Sequence, residues 1–442
     1  MTASNRHNLY VFDANRSVGI IGYDSREESF SFAYEPQWCA AKDAYPLSPS
    51  IPLTGPEPSS GTVRRFLENL LPEGKALEIV STTHQISKNN IFGLVRQLGA
   101  ETSGALSFLP EGVLPESRST RLREIQPDEL RQRIEARAQV PFAVWDGRVR
   151  MSLAGCQDKL AVYVHENRFY LVEGALASTH ILKPEPLDSR LHGLVANEHF
   201  CMRLASRLGL KTAEVSIVRV PHAVLVVRRF DREVNNDAVK RIHLVDACQA
   251  LDLPVSYKYE RIFGSGKDVR HVRDGVSFES LFSKIVDYTT QKALTRQALV
   301  RWAIFQYLIG NADAHGKNVS FFCGSSGLAI APFYDLVSVV QYPELDHELA
   351  MGYGDEFRLE DITPFAWADF AKRVGLQRSF LAREMTRMAD SALKAVPEQV
   401  AEGDYVDEEQ DLVLRISDFV AVQAQKLRLA AKSMTQVDST LL

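Results

Sequence analysis

Residues 308–338 constrain the fold of this chain most, because an apolar helix end is followed by a fixed order of oxygen-bearing side chains. The stretch reads LIGNADAHGKNVSFFCGSSGLAIAPFYDLVS. Asp313 begins a D-x-x-x-x-N pattern that ends at Asn318, and Asp335 follows a predicted hairpin. Carboxylate and amide oxygens are the ligands that Mg²⁺ prefers. The pattern therefore predicts one carboxylate for proton transfer and two oxygen ligands for a metal ion.

The order Asp, Asn, Asp is also that of the catalytic and metal-binding segments of protein kinases. There the first carboxylate accepts the proton of the substrate hydroxyl, and the other two residues hold the metal ions that bridge the ATP phosphates. An Asp and an Asn at this spacing are common by chance, and many such pairs form caps or turns. The segment Phe333-Tyr334-Asp335 after the hairpin favours the kinase interpretation. In the alternative, Asp335 only caps the next segment.

Size and composition limit the classes of function. A chain of 442 residues is too long for one ordinary core, so we expect two or three domains. The net charge of −5 does not predict the basic surface that a protein needs to bind nucleic acid by itself, although a basic partner could bring the chain to DNA. No segment has the apolar length of a signal peptide or a membrane span, and the five scattered cysteines lack zinc spacing. We expect a cytoplasmic protein with no membrane association.

The pattern of apolar residues predicts three domains. Residues 1–145 combine short strand-like runs with helices and form an N-terminal subdomain. Residues 146–238 read as a β-rich lobe with one long helix, and residues 239–442 have helical spacing from HLVDACQALDL onward. The predicted fold class is α+β. It is a two-lobed, protein-kinase-like fold with a β-rich N-lobe, an additional N-terminal α/β subdomain and an all-α C-lobe.

Two features of the predicted N-lobe suit phosphate binding. Lys183 lies in the otherwise apolar strand THILKP, where a long cation is unfavourable unless it is paired. A kinase lysine at such a position binds the α- and β-phosphates, and the alternative is an edge-strand lysine whose ammonium reaches solvent. The turn SLAGCQDK stands where a glycine-rich loop would lie, although its single Gly fits neither a Walker A nor a G-x-G-x-x-G motif. Without its context it is a β-turn.

The segment RRFDR, which ends an apolar strand, fits the hinge between the two lobes of a kinase. In such a hinge the backbone at Phe230-Asp231 would bond the adenine edge, and the Asp231 side chain could reach the ribose. The alternative is a buried Phe followed by a surface Asp. Each of these signals is weak alone. Their joint order of loop, lysine, hinge, Asp…Asn and Asp is what favours a kinase.

Together these segments resemble the HipA family of bacterial toxin kinases. MSLAGCQDKLAV resembles the phosphate loop of that family, THILKP its lysine strand and RRFDR its hinge. GNADAHGKN and PFYDLVS resemble its catalytic and metal-binding segments. The N-terminal part is similar through PLSPSIPL, FLENLLPEG and GAETSGALSFLP, so the resemblance covers nearly the whole chain.

The resemblance implies a serine/threonine protein kinase that uses ATP and Mg²⁺. Asp313 would be the proton acceptor, and Asn318 and Asp335 would bind the metal. Ser152 would match the autophosphorylated loop serine of the family, where a phosphate dianion would exclude the phosphates of ATP. The residues implied around ATP are Ala154, Gly155, Cys156, Gln157, Asp158, Lys159, Lys183, Arg228, Arg229, Phe230, Asp231, His315, Gly316, Lys317, Asn318, Tyr334 and Asp335.

The resemblance also implies partners. The chain would be the toxin of a type II toxin–antitoxin module, neutralised by a HipB-like helix-turn-helix antitoxin that supplies most contacts to operator DNA. The best-known substrate of the family is glutamyl-tRNA synthetase, whose phosphorylation halts translation and favours persistence. Two departures are present: Arg228 stands where the family often has Glu, and the loop reads DAHGKN instead of DGHAKN.

Two other functions remain open at the level of the sequence. A small-molecule or lipid kinase would share the Asp…Asn…Asp arrangement, although the N-terminal subdomain and Ser152 favour a protein kinase. A catalytically silent co-repressor bound to a helix-turn-helix partner would need none of the catalytic residues. The presence of Lys183, Asp313, Asn318 and Asp335 argues against that second alternative.

Overall fold

The computed structural model describes residues 5–115, 119–150, 157–174, 176–235 and 238–442. They divide into two compact units. The first, called the β unit here, comprises Met1–Pro184, Val218–Val245 and Phe321–Leu328. The second, called the helical unit, comprises Glu185–Ile217, Asp246–Ser320 and Ala329–Leu442.

The β unit begins with a sheet of order β3-β2-β1-β4, in which neighbouring strands are antiparallel. Alternate residues such as Leu9, Val11 and Phe32 are buried, as a strand with one face on the core requires. The strands are β1 (Arg6–Asp13), β2 (Arg16–Asp24), β3 (Ser29–Tyr34) and β4 (Leu106–Pro110). The helices between β3 and β4 are α1 (Pro36–Cys39), α2 (Ser60–Glu68), α3 (Gly74–His84) and α4 (Ile91–Leu98).

A second sheet of order β11-β12-β10-β8-β9-β5 carries the predicted lysine strand at its centre. Its core contains Leu160, Leu171, Leu182 and Val224, joined by Trp145 from the hairpin β6–β7. The strands are β5 (Arg121–Ile125), β6 (Val144–Trp145), β7 (Arg148–Val149), β8 (Leu160–His165), β9 (Arg168–Glu173), β10 (His180–Pro184), β11 (Val215–Val220) and β12 (His222–Arg228). Helix α5 (Pro127–Glu135) follows β5 and buries Leu130 and Ile134.

Shorter strands complete the β structure. β13 (Arg232–Asn235) and β14 (Ala238–Arg241) form a hairpin directly after the predicted hinge. β15 (Leu244–Asp246), β16 (Ser320–Gly324) and β17 (Gly327–Ile330) form a three-stranded sheet of order β15-β16-β17. The hairpin predicted between Asn318 and Asp335 is therefore confirmed as β16–β17.

The helical unit is organised around helix α9, whose C-terminal half is almost wholly buried. This helix packs against α11 and α12, the two longest helices of the unit. Its buried residues include Trp302, Phe305 and Leu308. The helices of this unit are α6 (Leu194–Arg207), α7 (Ala247–Ala250), α8 (Phe278–Ser280), α9 (Lys292–Ile309), α10 (Pro364–Arg373), α11 (Arg378–Glu402) and α12 (Glu408–Met434). Within the described residues, no helix combines the length and the hydropathy that crossing a membrane requires.

One predicted helix is wrong. HLVDACQALDL was expected to be helical throughout, but its first half is strand β15 and only Ala247–Ala250 forms an α-helix. Leu244 and Val245 are buried as parts of a sheet strand, so their apolar character reflects a short strand and not a helix face. Asp246 ends the strand and caps α7, since its carboxylate accepts a hydrogen bond from the Gln249 amide at 2.8 Å.

Candidate active site

The predicted catalytic loop leaves the C-terminus of α9 through a glycine that no other residue could replace easily. Gly310 has a φ of 62°, the left-handed conformation common at helix ends. A Cβ there would lie 2.6 Å from Val340. Asn311 then closes the turn, since its side chain donates to Gln306 Oε1 at 2.8 Å and accepts from the Asp313 amide at 3.0 Å. The start of the loop is thus fixed on a buried helix.

Asp313 is the one exposed residue in an otherwise buried stretch, 311–320. Its backbone carbonyl accepts a hydrogen bond from Asn318 Nδ2 at 2.9 Å, which closes the loop between the two signature residues. Its Oδ1 accepts a hydrogen bond from the Tyr259 hydroxyl at 2.6 Å. Within the described residues, Asp313 Oδ2 has no hydrogen bond or ion pair. A rigid loop therefore presents one carboxylate oxygen to solvent, which suits a general base.

Lys317 and Asp246 form a buried ion pair that the sequence did not reveal. Lys317 Nζ lies 2.6 Å from Asp246 Oδ2, and both side chains are almost fully buried. The other oxygen of Asp246 caps α7, so this carboxylate joins the catalytic loop to a neighbouring helix. A buried charge is tolerated only where a partner and hydrogen bonds compensate for lost hydration. The ion pair therefore fixes the loop.

The segment before α8 packs directly against the catalytic loop and explains Gly316. A Cβ at Gly316 would lie 2.5 Å from a methyl carbon of Val276, so a larger residue would displace the loop. The Gly316 amide donates to the Lys258 carbonyl at 2.9 Å. The ring of His315 meets the Tyr259 ring edge to face, with centroids 5.2 Å apart. The predicted residues His315 and Gly316 are thus held by a segment that sequence reasoning did not single out.

The second predicted metal segment is joined to the same loop. The Tyr334 hydroxyl donates to the Lys317 carbonyl at 2.5 Å and lies 2.7 Å from Ser320 Oγ. Burial raises the pKa of Tyr334, so its phenol remains a neutral donor. Asp335 has a φ of 58°, a left-handed conformation that is unfavourable by on the order of 1 kcal/mol or more. Such strain in a non-glycine residue is found at functional sites more often than elsewhere.

Asn318 and Asp335 carry the amide and carboxylate oxygens that Mg²⁺ prefers as protein ligands. The Asn318 amide nitrogen is used within the loop, and its Oδ1 has no hydrogen-bond donor among the described residues. The described residues contain no cluster of three His, Cys, Asp or Glu that could hold a metal. A Mg²⁺ ion commonly has only one or two protein ligands, because it keeps water and substrate phosphates in its coordination shell.

In the β unit, the predicted lysine strand is confirmed as β10. Lys183 pairs in register with Leu225 of β12 and is only 8% exposed. Lys159, at the start of β8, is also buried, and Gln157 and Asp158 are partly exposed. The predicted phosphate-loop residues Ala154, Gly155 and Cys156, with Ser152, lie outside the described residues.

The predicted hinge has an arrangement that the sequence did not anticipate. Asp231 is 5% exposed, so the alternative of a surface Asp is wrong. Its carboxylate accepts from Arg229 at 2.9 Å, from Arg232 at 2.7 Å and from the Gly104 amide at 2.8 Å. These contacts favour a structural role for Asp231 over the expected contact with the ribose.

The other two hinge residues differ in exposure. Phe230 is partly buried, and its ring meets the Phe322 ring edge to face, with the centroids 6.0 Å apart. Arg228, by contrast, is exposed.

Asp231 and its two arginine partners belong to a larger network, called the arginine cluster here. It comprises Glu101, Ser178, Arg229, Asp231, Arg232 and Arg241. Arg241 donates to backbone carbonyls, among them Leu106 at 2.8 Å and Gly104 at 3.0 Å. Burial alone would raise the pKa of Asp231, but Arg229 and Arg232 outweigh it and hold that pKa well below its usual value. The cluster therefore contains ionised groups that are neutralised inside the unit.

Comparison with known proteins identifies relatives over both halves of the chain. A HipA N-terminal domain model matches residues 9–109, and a HipA-like C-terminal domain model matches residues 151–399. The serine/threonine-protein kinase toxin HipA of Shewanella oneidensis is 42% identical over 389 residues, 87% of this chain and 86% of that protein. The putative kinase Y4mE of Sinorhizobium fredii is 33% identical over 437 residues, 96% of this chain and 99% of that protein.

A solved structure gives the same result. One chain in the complex of Shewanella oneidensis MR-1 HipA, HipB and operator DNA superposes with a TM-score of 0.88 and 39% identity. The match covers 97% of this chain and 100% of that one. The kinase-like α+β fold class predicted from the sequence is confirmed by this likeness. The predicted enzyme class, a kinase, is confirmed by the relatives.

Proposed function

Because this chain belongs to the HipA family of kinases, we propose that it is a serine/threonine-protein kinase and the toxin of a toxin–antitoxin module. The observation that carries the catalytic part is the exposure of Asp313 alone on a buried, hydrogen-bonded loop. Asp313 Oδ2 takes the proton from the hydroxyl of a protein serine or threonine. The hydroxyl oxygen bonds to the γ-phosphorus of ATP as the bond from that phosphorus to ADP breaks and ADP leaves. Phosphoryl transfer needs such positioning more than it needs covalent chemistry.

Residues of the catalytic loop and of three other segments would hold ATP and the metal ion. Asn318 Oδ1 and Asp335 would hold Mg²⁺, which neutralises charge on the phosphates when bound. Lys183 would bind the α- and β-phosphates, helped by the loop from Ala154 to Lys159. Lys183 lies buried on β10, inside the six-stranded sheet, which is the position that a kinase lysine strand would have. Arg228 to Phe230 would supply backbone contacts to adenine.

Lys317 and Tyr334 support this site from within the protein. The Lys317 ammonium is bound to Asp246 and the Tyr334 phenol to the Lys317 carbonyl, so both brace the loop that carries Asp313. The sequence predicted that Lys317 and Tyr334 contact ATP. We propose instead that they act on the nucleotide site only through the loop that they hold. His315 and Gly316 line the same loop and stay in the proposed nucleotide site.

The proposed regulation and partners follow the relatives. The similar Shewanella chain is found with HipB and operator DNA, and we propose a HipB-like helix-turn-helix antitoxin for this chain, with DNA contacted mainly through it. We further propose that phosphorylation of Ser152 silences the kinase. The proposed target is a translation component, with glutamyl-tRNA synthetase as the first to test. We propose a cytoplasmic location, with which the reduced state of Cys39, Cys201 and Cys323 agrees.

The test is phosphate transfer from [γ-³²P]ATP with Mg²⁺, using the purified chain alone and with glutamyl-tRNA synthetase. We expect label on the chain itself, mapped by mass spectrometry to Ser152, and label on a protein substrate. Label on a sugar or lipid in place of protein would support the small-molecule or lipid kinase. Absence of any transfer, together with binding to the helix-turn-helix protein, would support the silent co-repressor and overturn the proposal.

A further inference from the structure

Tyr259 lies beside the proposed catalytic base, although nothing in the sequence motifs singles it out. Its hydroxyl donates to Asp313 Oδ1 at 2.6 Å, which is short for a hydrogen bond and typical of one to an ionised oxygen. The Tyr259 residue is 37% exposed, so its ring is at the surface where the carboxylate is also exposed. The contact therefore involves the reacting group itself and not a distant support.

The backbone on both sides of Tyr259 is anchored. The Lys258 carbonyl accepts from the Gly316 amide of the catalytic loop at 2.9 Å, and the Glu260 amide donates to the Ala350 carbonyl at 2.9 Å. The Glu260 side chain is buried and binds Arg273 at 2.5 Å. The Tyr259 ring itself packs against His315. A residue held on three sides in this way has little freedom to move as a lid.

We propose that Tyr259 is a positioning residue for Asp313, which fixes the carboxylate so that Oδ2 faces the substrate hydroxyl. A carboxylate can rotate about its terminal bond, because that torsion is broad and roughly two-fold. The hydrogen bond to Oδ1 stops this rotation and leaves the second oxygen as the proton acceptor. The inference rests on the proposed function, since it assigns Tyr259 a task in the same phosphoryl transfer.

The geometry separates positioning from autoinhibition. A tyrosine that blocked the base would have to leave before substrate could bind, yet both flanking residues are held by backbone hydrogen bonds. It would also need to occupy the acceptor oxygen, but only Oδ1 is used and Oδ2 has no partner among the described residues. Positioning predicts that loss of the hydroxyl slows transfer. Autoinhibition predicts that it speeds transfer.

The test compares wild type with Tyr259→Phe, which keeps the ring against His315 and removes only the hydroxyl. Self-labelling from [γ-³²P]ATP and labelling of glutamyl-tRNA synthetase are measured over a range of ATP concentrations. We expect the maximal rate to fall about tenfold, with the KM for ATP within about twofold of wild type and an unchanged Tm. A residue with a merely structural role would lower Tm or raise KM instead.

The matched control is Tyr257→Phe, which removes a phenol hydroxyl two residues away from the same segment and should leave the rate, KM and Tm unchanged. A maximal rate in Tyr259→Phe equal to or above wild type would overturn the inference, as would a fall that Tyr257→Phe reproduces. Asp313→Asn is measured in parallel to separate the two proposals. If it transfers phosphate as fast as wild type, the proposed function fails, whatever Tyr259→Phe shows.

Discussion

The arginine cluster of the β unit and the catalytic loop of the helical unit are both charged motifs, RRFDR and NADAHGKN, and both were expected to contact ATP. In the first, the carboxylate of Asp231 accepts four hydrogen bonds and is buried with its guanidinium partners. In the second, Lys317 is buried with Asp246 but the carboxylate of Asp313 remains exposed. The same residue types are thus buried together in one unit and include an exposed carboxylate in the other, to which we assign the proposed catalytic role.

The difference shows what separates a structural charge from a reactive one. A buried charge whose hydrogen bonds are all satisfied cannot accept a proton or a ligand without the loss of an existing contact. A single exposed carboxylate on a rigid, buried loop is already fixed in position by the fold, so little further conformational entropy is lost when it reacts. It also keeps one oxygen available as a proton acceptor. Substitutions in the two motifs should therefore affect different measurements.

The largest expected effect is on catalysis. Asp313→Asn keeps the size of the side chain and the Tyr259 contact but removes the proposed proton acceptor, so the rate of phosphate transfer should fall ~10³-fold. The Tm should stay within about 1 °C of wild type, since the Asp313 side chain is exposed. Transfer is measured with [γ-³²P]ATP and stability by circular dichroism on the same preparation. A rate within tenfold of wild type would show that Asp313 is not the base.

The next effect is on stability. Arg232→Met should lower the free energy of unfolding by ~3–5 kcal/mol, because Asp231 loses one of its two guanidiniums inside the protein. The carbonyls of Gly104 and Thr102 would each lose one donor as well, although Arg241 still donates to both. The measurement is urea unfolding followed by fluorescence.

Arg131→Met is the matched control for that prediction. It removes an arginine of the same unit that pairs with Asp128 at the surface, at 3.3 Å. Exposed pairs contribute ~0–1 kcal/mol, so little change is expected. Equal loss of stability in the two variants would mean that burial of the arginine cluster does not matter.

A smaller effect concerns pH. Burial lowers the pKa of His243 to about 4, so the ring is neutral in the folded β unit, where Nε2 donates to the Leu47 carbonyl at 2.9 Å. Between pH 6.5 and 4, His243 is protonated in the unfolded chain but still neutral in the folded one. The free energy of unfolding therefore falls as the pH falls through that range. The contribution is at most ~3 kcal/mol.

His243→Gln tests this by comparison of slopes. The variant retains a hydrogen-bond donor but cannot titrate, so its unfolding free energy should depend less on pH between 6.5 and 4 than that of wild type. Above pH 7 the two curves should run parallel, whatever their offset. Parallel curves at every pH would contradict a neutral, buried His243.

Much of this architecture could be predicted from the sequence, because it depends on local pattern. Apolar spacing predicted the long helices and the strands β8, β9 and β10, and residue order predicted Asp313, Asn318 and Asp335. The contacts that decide the roles are long-range. Lys317 and Asp246 are 71 residues apart, Gly104 and Asp231 are 127 apart, and Tyr259 and Asp313 are 54 apart. No periodicity in one sequence identifies such pairs.

The errors have the same origin. HLVDACQALDL has helical spacing, but pairing of Leu244–Asp246 in a sheet overrides that preference. Asp231 follows a buried strand and was expected either at the ribose or at the surface. Only the fold brings it to the amide of Gly104, which is 127 residues away in the sequence.

The most direct test measures transfer rate and Tm for Asp313→Asn and Arg232→Met side by side, with rates expressed per folded molecule at low temperature. The account predicts that Asp313→Asn melts like wild type and transfers almost no phosphate. It predicts that Arg232→Met melts at a lower temperature and transfers phosphate at nearly the wild-type rate. If Asp313→Asn is active, or if Arg232→Met is inactive while fully folded, the division between a catalytic loop and a structural arginine cluster is wrong.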